Sequence, residues 1–181
     1  MITEFIQFRP SEKDALRRRQ AWSEFLGTVN FNIYATLTFS YAVTADYARR
    51  EFGCWVNKIN RRYYGSNWRK KPESGIVWAF VVEHVSKSYL AHVHAMIRAP
   101  GHELTAESAK WMEDLWRLRF GIADVGLIRS LEKAASYTVK TVPWGGEMFA
   151  LSGIWDVWKN SEGQAIGATD AANNRDFATE T

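Results

Sequence analysis

Two apolar segments, separated by a few polar residues, constrain the fold of this chain more than any other feature. The segments are GIVWAFVVEHV at 75–85 and SYLAHVHAMIRA at 88–99. Their β-branched and aromatic residues are typical of strands. The short polar run SKS joins them, and Pro100 with Gly101 ends the second segment. This close spacing predicts a tight antiparallel hairpin.

Helical and strand patterns alternate along the rest of the chain. Apolar residues at helical spacing, with the cap residues Ser11, Thr44 and Thr105, predict helices. The order α, β, α, β, β, α, β, α predicts an α+β fold in which helices cover a mostly antiparallel sheet. The segment 144–158 is either a strand or a closing segment over the core. The predicted helices span 11–29, 44–65, 105–121 and 131–142, and the two further strands span 32–41 and 123–130.

The length of 181 residues is enough for one domain with a substantial core. We predict this domain over 1–158 and a polar, flexible tail over 159–181. No apolar run is long enough to span a membrane, and the N-terminal residues lack the order of a signal peptide. The single cysteine, Cys54, excludes an internal disulfide and fits a reducing cytosol. We therefore expect a cytoplasmic protein with no membrane partner.

The positive charge is unevenly distributed. The net charge is +3 and the pI is near 9.0, and much of the surplus lies in RRR at 17–19 and NRRYYGSNWRKK at 60–71. In the second segment, basic residues that can neutralise phosphates alternate with aromatic residues that can stack on bases. The alternative is a solvated basic loop. The residues of this segment predicted to bind nucleic acid are Arg61, Arg62, Arg69, Lys70 and Lys71.

Two histidines, His92 and His94, lie one residue apart in the second strand of the hairpin. Alternate residues of a strand share a face, so both imidazoles emerge on the same side. Of the two plausible hairpin registers, one pairs Glu83 with His92 and the other pairs Glu83 with His94. Either places the carboxylate on the histidine face. Two imidazoles and a carboxylate predict a metal site, and the alternative is a pair of histidines hydrogen-bonded to backbone or water.

The last predicted helix contains a tyrosine flanked by lysines. Tyr137 and Lys140 are three residues apart and share a helix face, and Lys133 lies one turn before Tyr137. A phenol is a poor nucleophile at neutral pH, because its reference pKa is near 10. Beside an ammonium group and a polarised phosphate, its oxyanion becomes accessible.

Three motifs in this order resemble those of the HUH endonucleases, in the rolling-circle replication initiator (Rep) group of plasmids and phages. They are TLTF at 36–39, HVH at 92–94 and YTVK at 137–140. The resemblance covers about residues 30–142. It implies a central antiparallel sheet of about five strands flanked by helices, an HUH or RRM-like fold of ferredoxin-like type.

The resemblance also implies an activity. His92, His94 and an acidic residue, which we assign as Glu83, would hold Mg²⁺ or Mn²⁺. Tyr137 would nick single-stranded DNA at an origin hairpin, keep the 5′ phosphate and free a 3′ hydroxyl, and Lys140 would assist it. The matching residues Thr36 and Thr38 are assigned to DNA binding, as is Lys133. A host helicase and polymerase would be the further partners.

The chain departs from some Rep proteins. It has one tyrosine in the third motif, Lys133 stands where some relatives have a water-activating glutamate, and it has no GxxxxGK[ST] phosphate loop. Three alternatives stay open: a single-tyrosine HUH transposase, a non-catalytic RRM-like nucleic-acid-binding domain, and a metal-dependent hydrolase of small phosphoesters.

Overall fold

The computed structural model describes residues 11–70, 75–84, 91–140 and 148–152. It contains four α-helices, one short 3-10 helix and five strands in these residues. In chain order they are α1 (Glu12–Gly27), β1 (Ile33–Thr38), α2 (Ala45–Tyr64), the 3-10 helix (Trp68–Lys70), β2 (Val77–His84), β3 (Ala91–Arg98), α3 (Ala106–Arg117), β4 (Ala123–Leu127), α4 (Leu131–Thr138) and β5 (Met148–Ser152).

The strands form one sheet in the order β4-β1-β3-β2-β5, with antiparallel pairing throughout. The predicted α+β class, an antiparallel sheet flanked by helices, is confirmed. The predicted hairpin of β2 and β3 is also confirmed, in the register that pairs Glu83 with His92. Its predicted turn lies outside the described residues. Within 144–158, the strand alternative agrees with β5.

Strict alternation along β1 separates the two faces of the sheet. Ile33, Ala35 and Leu37 are buried on the face that α2 and α3 cover. The other face carries Tyr34 and is covered by α1 and α4, whose apolar residues form a second, smaller core with Met96 of β3. Because the two cores are separate, polar side chains can be placed on the second face without breaking the larger core.

The helices begin where their caps predict. The side chains of Ser11, Thr44 and Thr105 each accept a hydrogen bond from a backbone N–H of the first turn, which satisfies a donor that has no partner within the helix.

The end of α4 differs from the prediction of a helix over 131–142. It stops at Thr138, and the N–H of Lys140 bonds to the carbonyl of Tyr137 at 3.2 Å in a tighter turn. The β-branched Thr138 and Val139 explain the early end, since such residues disfavour helix continuation. Lys140 therefore reaches the site from the turn after α4.

No helix within the described segments combines the length and the apolar character needed to cross a membrane. The tail predicted at 159–181 lies outside the described residues.

Candidate active site

One face of three adjacent strands brings together the polar residues of the predicted site. Glu83 of β2 is paired with His92 of β3, and Thr38 of β1 is paired with the same histidine from the other side. His94 lies opposite Thr36. This alignment confirms that the carboxylate and both imidazoles share a face.

The ring of His94 is held on both sides. Only 2% of this residue is exposed. Its Nε2 lies 2.9 Å from Oε2 of Glu83, while its Nδ1 lies 3.0 Å from the hydroxyl of Tyr34 and 3.3 Å from that of Thr36. The strand positions of these three neighbours thus fix the plane of the imidazole.

Burial lowers the pKa of His94, and the neighbouring Glu83 offsets only part of this effect. The ring is therefore neutral at pH 7, with one N–H. Since a carboxylate can only accept, the proton belongs on Nε2, which donates to Glu83, while the Tyr34 hydroxyl donates to Nδ1. A hydroxyl can also accept, so Tyr34 and Thr36 are equally able to support the other tautomer.

His92 is held more loosely than His94. It is half-buried, its Nδ1 lies 3.4 Å from the hydroxyl of Thr38, and its ring centroid lies 6.4 Å from that of His94. Thr36 and Thr38 were predicted to bind DNA, and here each contacts the Nδ1 of a histidine. Such contacts orient imidazole ligands in metal sites.

The carboxylate of Glu83 pairs with a second cation. Nζ of Lys140 lies 3.1 Å from Oε2, the oxygen that also accepts from His94. Partial burial raises the pKa of Glu83, but the hydrogen bonds with His94 and Lys140 outweigh it, and the pKa is lowered. Burial likewise lowers the pKa of Lys140, but its bonds with Tyr137 and Glu83 raise it overall. Both groups are charged at neutral pH.

The predicted nucleophile lies above this cluster. The ring of Tyr137 meets the ring of His94 edge to face, with centroids 5.0 Å apart, and Nζ of Lys140 lies 4.1 Å from the tyrosine centroid. Tyr137 is 47% exposed, so a large substrate can reach it. The structure thus brings together Glu83, His94, Tyr137 and Lys140. The side chain of Lys133 is exposed, and no described contact joins it to Tyr137.

Sequence reasoning missed Tyr34. Its hydroxyl contacts His94, and its ring meets that of Tyr137 edge to face at 6.1 Å. A usable signal was present, because Tyr34 stands two residues before Thr36 and so shares its face of β1.

The predicted DNA-binding segment around 61–70 lies elsewhere. It comprises the last turn of α2 and the 3-10 helix after it. Helix α2 covers the opposite face of the sheet, and Asn60 accepts a hydrogen bond from the N–H of Ile76 just before β2 begins. Glu83 lies near the other end of β2, about 20 Å along the strand. Within the segment, Arg62 stacks on Trp111 at 4.2 Å. Lys71 lies outside the described residues.

A different basic segment contacts the helix that carries Tyr137. Helix α1 packs on α4, and the guanidinium of Arg19 donates to the hydroxyl of Ser136 at 3.3 Å. Arg17 and Arg18 are exposed, and none of the three arginines forms an ion pair with a described acidic residue. This basic segment therefore reaches, through Arg19, the residue that precedes Tyr137 in α4.

The donor types fit a divalent metal, but their present arrangement does not. Among the described residues, no three imidazole, carboxylate or thiol side chains are grouped to hold one ion. In this structure Glu83 bonds directly to His94 and Lys140. Two imidazoles and a carboxylate nevertheless form a common ligand set. The side chain of Glu83 is partly exposed.

Comparison with known proteins identified no relative. No protein-family model, curated protein or solved structure matches the chain. The function proposed below therefore depends on the residues of this site and on the resemblance of the three motifs.

Proposed function

We propose that this protein is a metal-dependent endonuclease of the HUH type, a single-tyrosine Rep protein that nicks one DNA strand at a replication origin. The observation that carries the proposal is the position of Tyr137, whose ring lies 5.0 Å from that of His94 and 4.1 Å from Nζ of Lys140. A phenol, an ammonium group and a set of imidazole and carboxylate donors in contact are suited to phosphoryl transfer.

The order of the strands and helices also supports the proposal. The succession β1, α2, β2, β3, α3, β4 is the βαββαβ order of ferredoxin-like folds, which include the RRM-like shape expected of HUH domains. The site lies on the central strands β1 and β3 together with β2, so rigid elements position its side chains.

In the proposed reaction, the Tyr137 hydroxyl gives its proton to water and its oxygen attacks phosphorus in line with the leaving group. The bond between phosphorus and the 3′ oxygen breaks, and that oxygen takes up a proton from water and leaves as a hydroxyl. Lys140 stabilises the developing negative charge. Mg²⁺ or Mn²⁺, held by Glu83, His92 and His94, would supply charge neutralisation and orientation for the phosphate.

The chemistry conserves the energy of the broken bond. The 5′ phosphate stays on Tyr137 as a phosphodiester, so a 3′ hydroxyl can later reverse the step and reseal a strand. Meanwhile the free 3′ hydroxyl can prime a polymerase, which accounts for an origin hairpin, a host helicase and a polymerase as partners. A single-tyrosine transposase would use the same intermediate on a different DNA sequence.

Incubation with single-stranded DNA and Mn²⁺, followed by denaturing electrophoresis, tests the proposal. We expect a protein–DNA adduct that survives denaturation and requires the metal. Omission of Mn²⁺ in the presence of a chelator is the matched control. Cleavage without an adduct would contradict the tyrosine mechanism.

One observation favours a second candidate, the non-catalytic RRM-like nucleic-acid-binding domain. The described residues do not hold a preformed metal cluster. Such a domain would bind single-stranded DNA equally well with and without Mn²⁺ and would form no adduct. The same electrophoresis experiment, combined with a binding titration, separates the two candidates.

A further inference from the structure

One oxygen of Glu83 has two nitrogen partners. Oε2 lies 2.9 Å from Nε2 of His94 and 3.1 Å from Nζ of Lys140. At 3.1 Å, the ammonium group of Lys140 forms an ion pair with this carboxylate oxygen. The oxygen that the proposed metal site needs is therefore already engaged by an ammonium group.

Lys140 reaches this oxygen because α4 ends early. Val139 caps the helix and the next residue turns back in a tighter turn, where the N–H of Lys140 bonds to the carbonyl of Tyr137. The side chain is about one third exposed. Its ammonium also lies 4.1 Å from the centroid of the Tyr137 ring. The same group thus contacts both the carboxylate and the phenol ring.

We propose that Lys140 is a built-in competitor of the divalent metal for Glu83, and that metal binding transfers its ammonium from the carboxylate to Tyr137. This inference rests on the proposed metal site. Mg²⁺ binds its oxygen ligands at about 2.0–2.1 Å. It cannot share Oε2 with an ammonium group at hydrogen-bond distance without strong repulsion between the two cations.

This exchange links the proposed metal ligands to the proposed nucleophile, Tyr137. Without metal, the ammonium group of Lys140 is paired with the carboxylate of Glu83. Once the carboxylate is engaged by the metal, the ammonium keeps its second contact, the aromatic ring, and is free to assist the phenol oxygen or the phosphate. Lys140 therefore weakens metal binding and serves the nucleophile only after the metal is bound, which would suppress an unproductive attack by Tyr137 in the absence of metal.

Calorimetric titration of Mn²⁺ into the DNA-free protein tests this competition. Lys140→Met removes the competing charge and keeps the aliphatic stem, so Mn²⁺ should bind roughly two- to fivefold more tightly, the amount expected for loss of one partly exposed ion pair. Lys140→Arg keeps the charge and should bind much as the wild type does. Lys133→Met removes the same charge from an exposed position of α4. It controls for the effect of the protein's net positive charge on Mn²⁺ affinity.

The outcomes separate this inference from the proposed function. Equal or weaker Mn²⁺ binding by Lys140→Met, with His92→Ala still abolishing binding, would overturn the competition and leave the metal site intact. Equal tightening by Lys133→Met would also overturn it, because the effect would then be one of net charge. Absence of Mn²⁺ binding by the wild type would overturn both proposals. Cooperative thermal unfolding of each variant establishes that the comparison is between folded proteins.

Discussion

The hydroxyl of Tyr34 lies 3.0 Å from Nδ1 of His94, on the side of the ring away from the nitrogen that contacts Glu83. For Nε2 to bind a metal, it must give up its proton and Nδ1 must carry one. Burial raises the pKa of Tyr34, so its hydroxyl stays protonated. That hydroxyl can donate to Nδ1 before the change and accept from it afterwards, which suits Tyr34 to hold the ring in both tautomers.

Tyr34→Phe should therefore weaken Mn²⁺ binding by about 10- to 100-fold, the usual effect of removing a group that orients a metal ligand. Titration calorimetry gives the affinity. Tyr41→Phe is the matched control, because that hydroxyl bonds to Tyr47 outside the site. If both variants bind as the wild type does, Tyr34 is only a packing residue.

Substitution of the proposed ligands should separate function from folding. His92→Ala should remove measurable Mn²⁺ binding and metal-dependent cleavage, because one of three ligands is lost, while cooperative unfolding is retained since His92 is only half-buried. His94→Ala should lose binding as well, and it should also destabilise the protein by about 1–3 kcal/mol, because it removes a buried ring and its hydrogen bonds with the part-buried Tyr34 and Glu83. Unchanged Mn²⁺ affinity in the double variant would eliminate the site.

Gly121 supports the strand end that positions His92. Its φ is 152°, and a Cβ there would lie 2.6 Å from the carbonyl oxygen of Thr38, whose hydroxyl contacts His92. Gly121→Ala should lower the free energy of unfolding by about 1–3 kcal/mol through strain and displacement of β1.

Chemical denaturation of Gly121→Ala beside Gly126→Ala measures this effect. Gly126 lies in β4, and no atom lies within 4 Å of a Cβ added there, so its variant should stay much closer to the wild type in stability. Equal stability of the two variants would show that the end of β1 tolerates the displacement.

The two basic segments should contribute differently to DNA binding. Arg19 of the segment at 17–19 contacts Ser136, the residue before Tyr137 in α4, whereas the segment at 61–70 lies on the far side of the sheet. Neutralising Arg17, Arg18 and Arg19 should weaken binding of a short single strand that spans the nick. The slope of log affinity against log salt should also flatten by about 0.7 for each phosphate of the single strand that the protein no longer neutralises.

Neutralising Arg61, Arg62, Arg69 and Lys70 should leave the affinity for that short strand nearly unchanged and weaken the binding of longer origin DNA. Fluorescence anisotropy over a range of salt concentrations measures both effects. If the variant and the wild type show the same slope of log affinity against log salt for the longer DNA, the segment at 61–70 is a solvated loop.

The hairpin shows what the sequence could predict. The two strands and their short connection restrict the register, and parity then places Glu83 on the histidine face whichever register forms. This prediction needed only the two-residue repeat of a strand. The position of Lys140 beside Tyr137 was also expected, although the route differs, since α4 ends at Thr138 and a turn delivers the lysine.

Residues that depend on packing between distant elements could not be placed in this way. Nothing local to 61–70 indicates that α2 covers the face of the sheet opposite Glu83, because that depends on the path of the chain between strands. The contact between Arg19 and Ser136 joins residues 117 positions apart. Local pattern therefore predicted that Glu83, His92 and His94 share one face and that Lys140 lies near Tyr137, and the topology decided which basic segment contacts α4.

Removal of the Lys140 charge should raise the affinity for Mn²⁺ and lower the rate of adduct formation. Lys140→Ala should slow adduct formation by roughly 10²–10³-fold at saturating Mn²⁺, because it removes a charge that stabilises the transition state, even as Mn²⁺ binds more tightly. Single-turnover gels at saturating metal measure the rate. A variant as fast as the wild type would show that Lys140 has no part in the chemical step.

Peptide mapping of the DNA adduct by mass spectrometry tests the central claim most directly. Tyr137→Phe removes one oxygen from an exposed side chain, so this variant should fold and bind Mn²⁺ and single-stranded DNA as the wild type does, yet form no adduct. In the wild type, the nucleotide mass should lie on the peptide containing Tyr137. DNA attached to any other residue, or an adduct at full yield in Tyr137→Phe, would contradict the account.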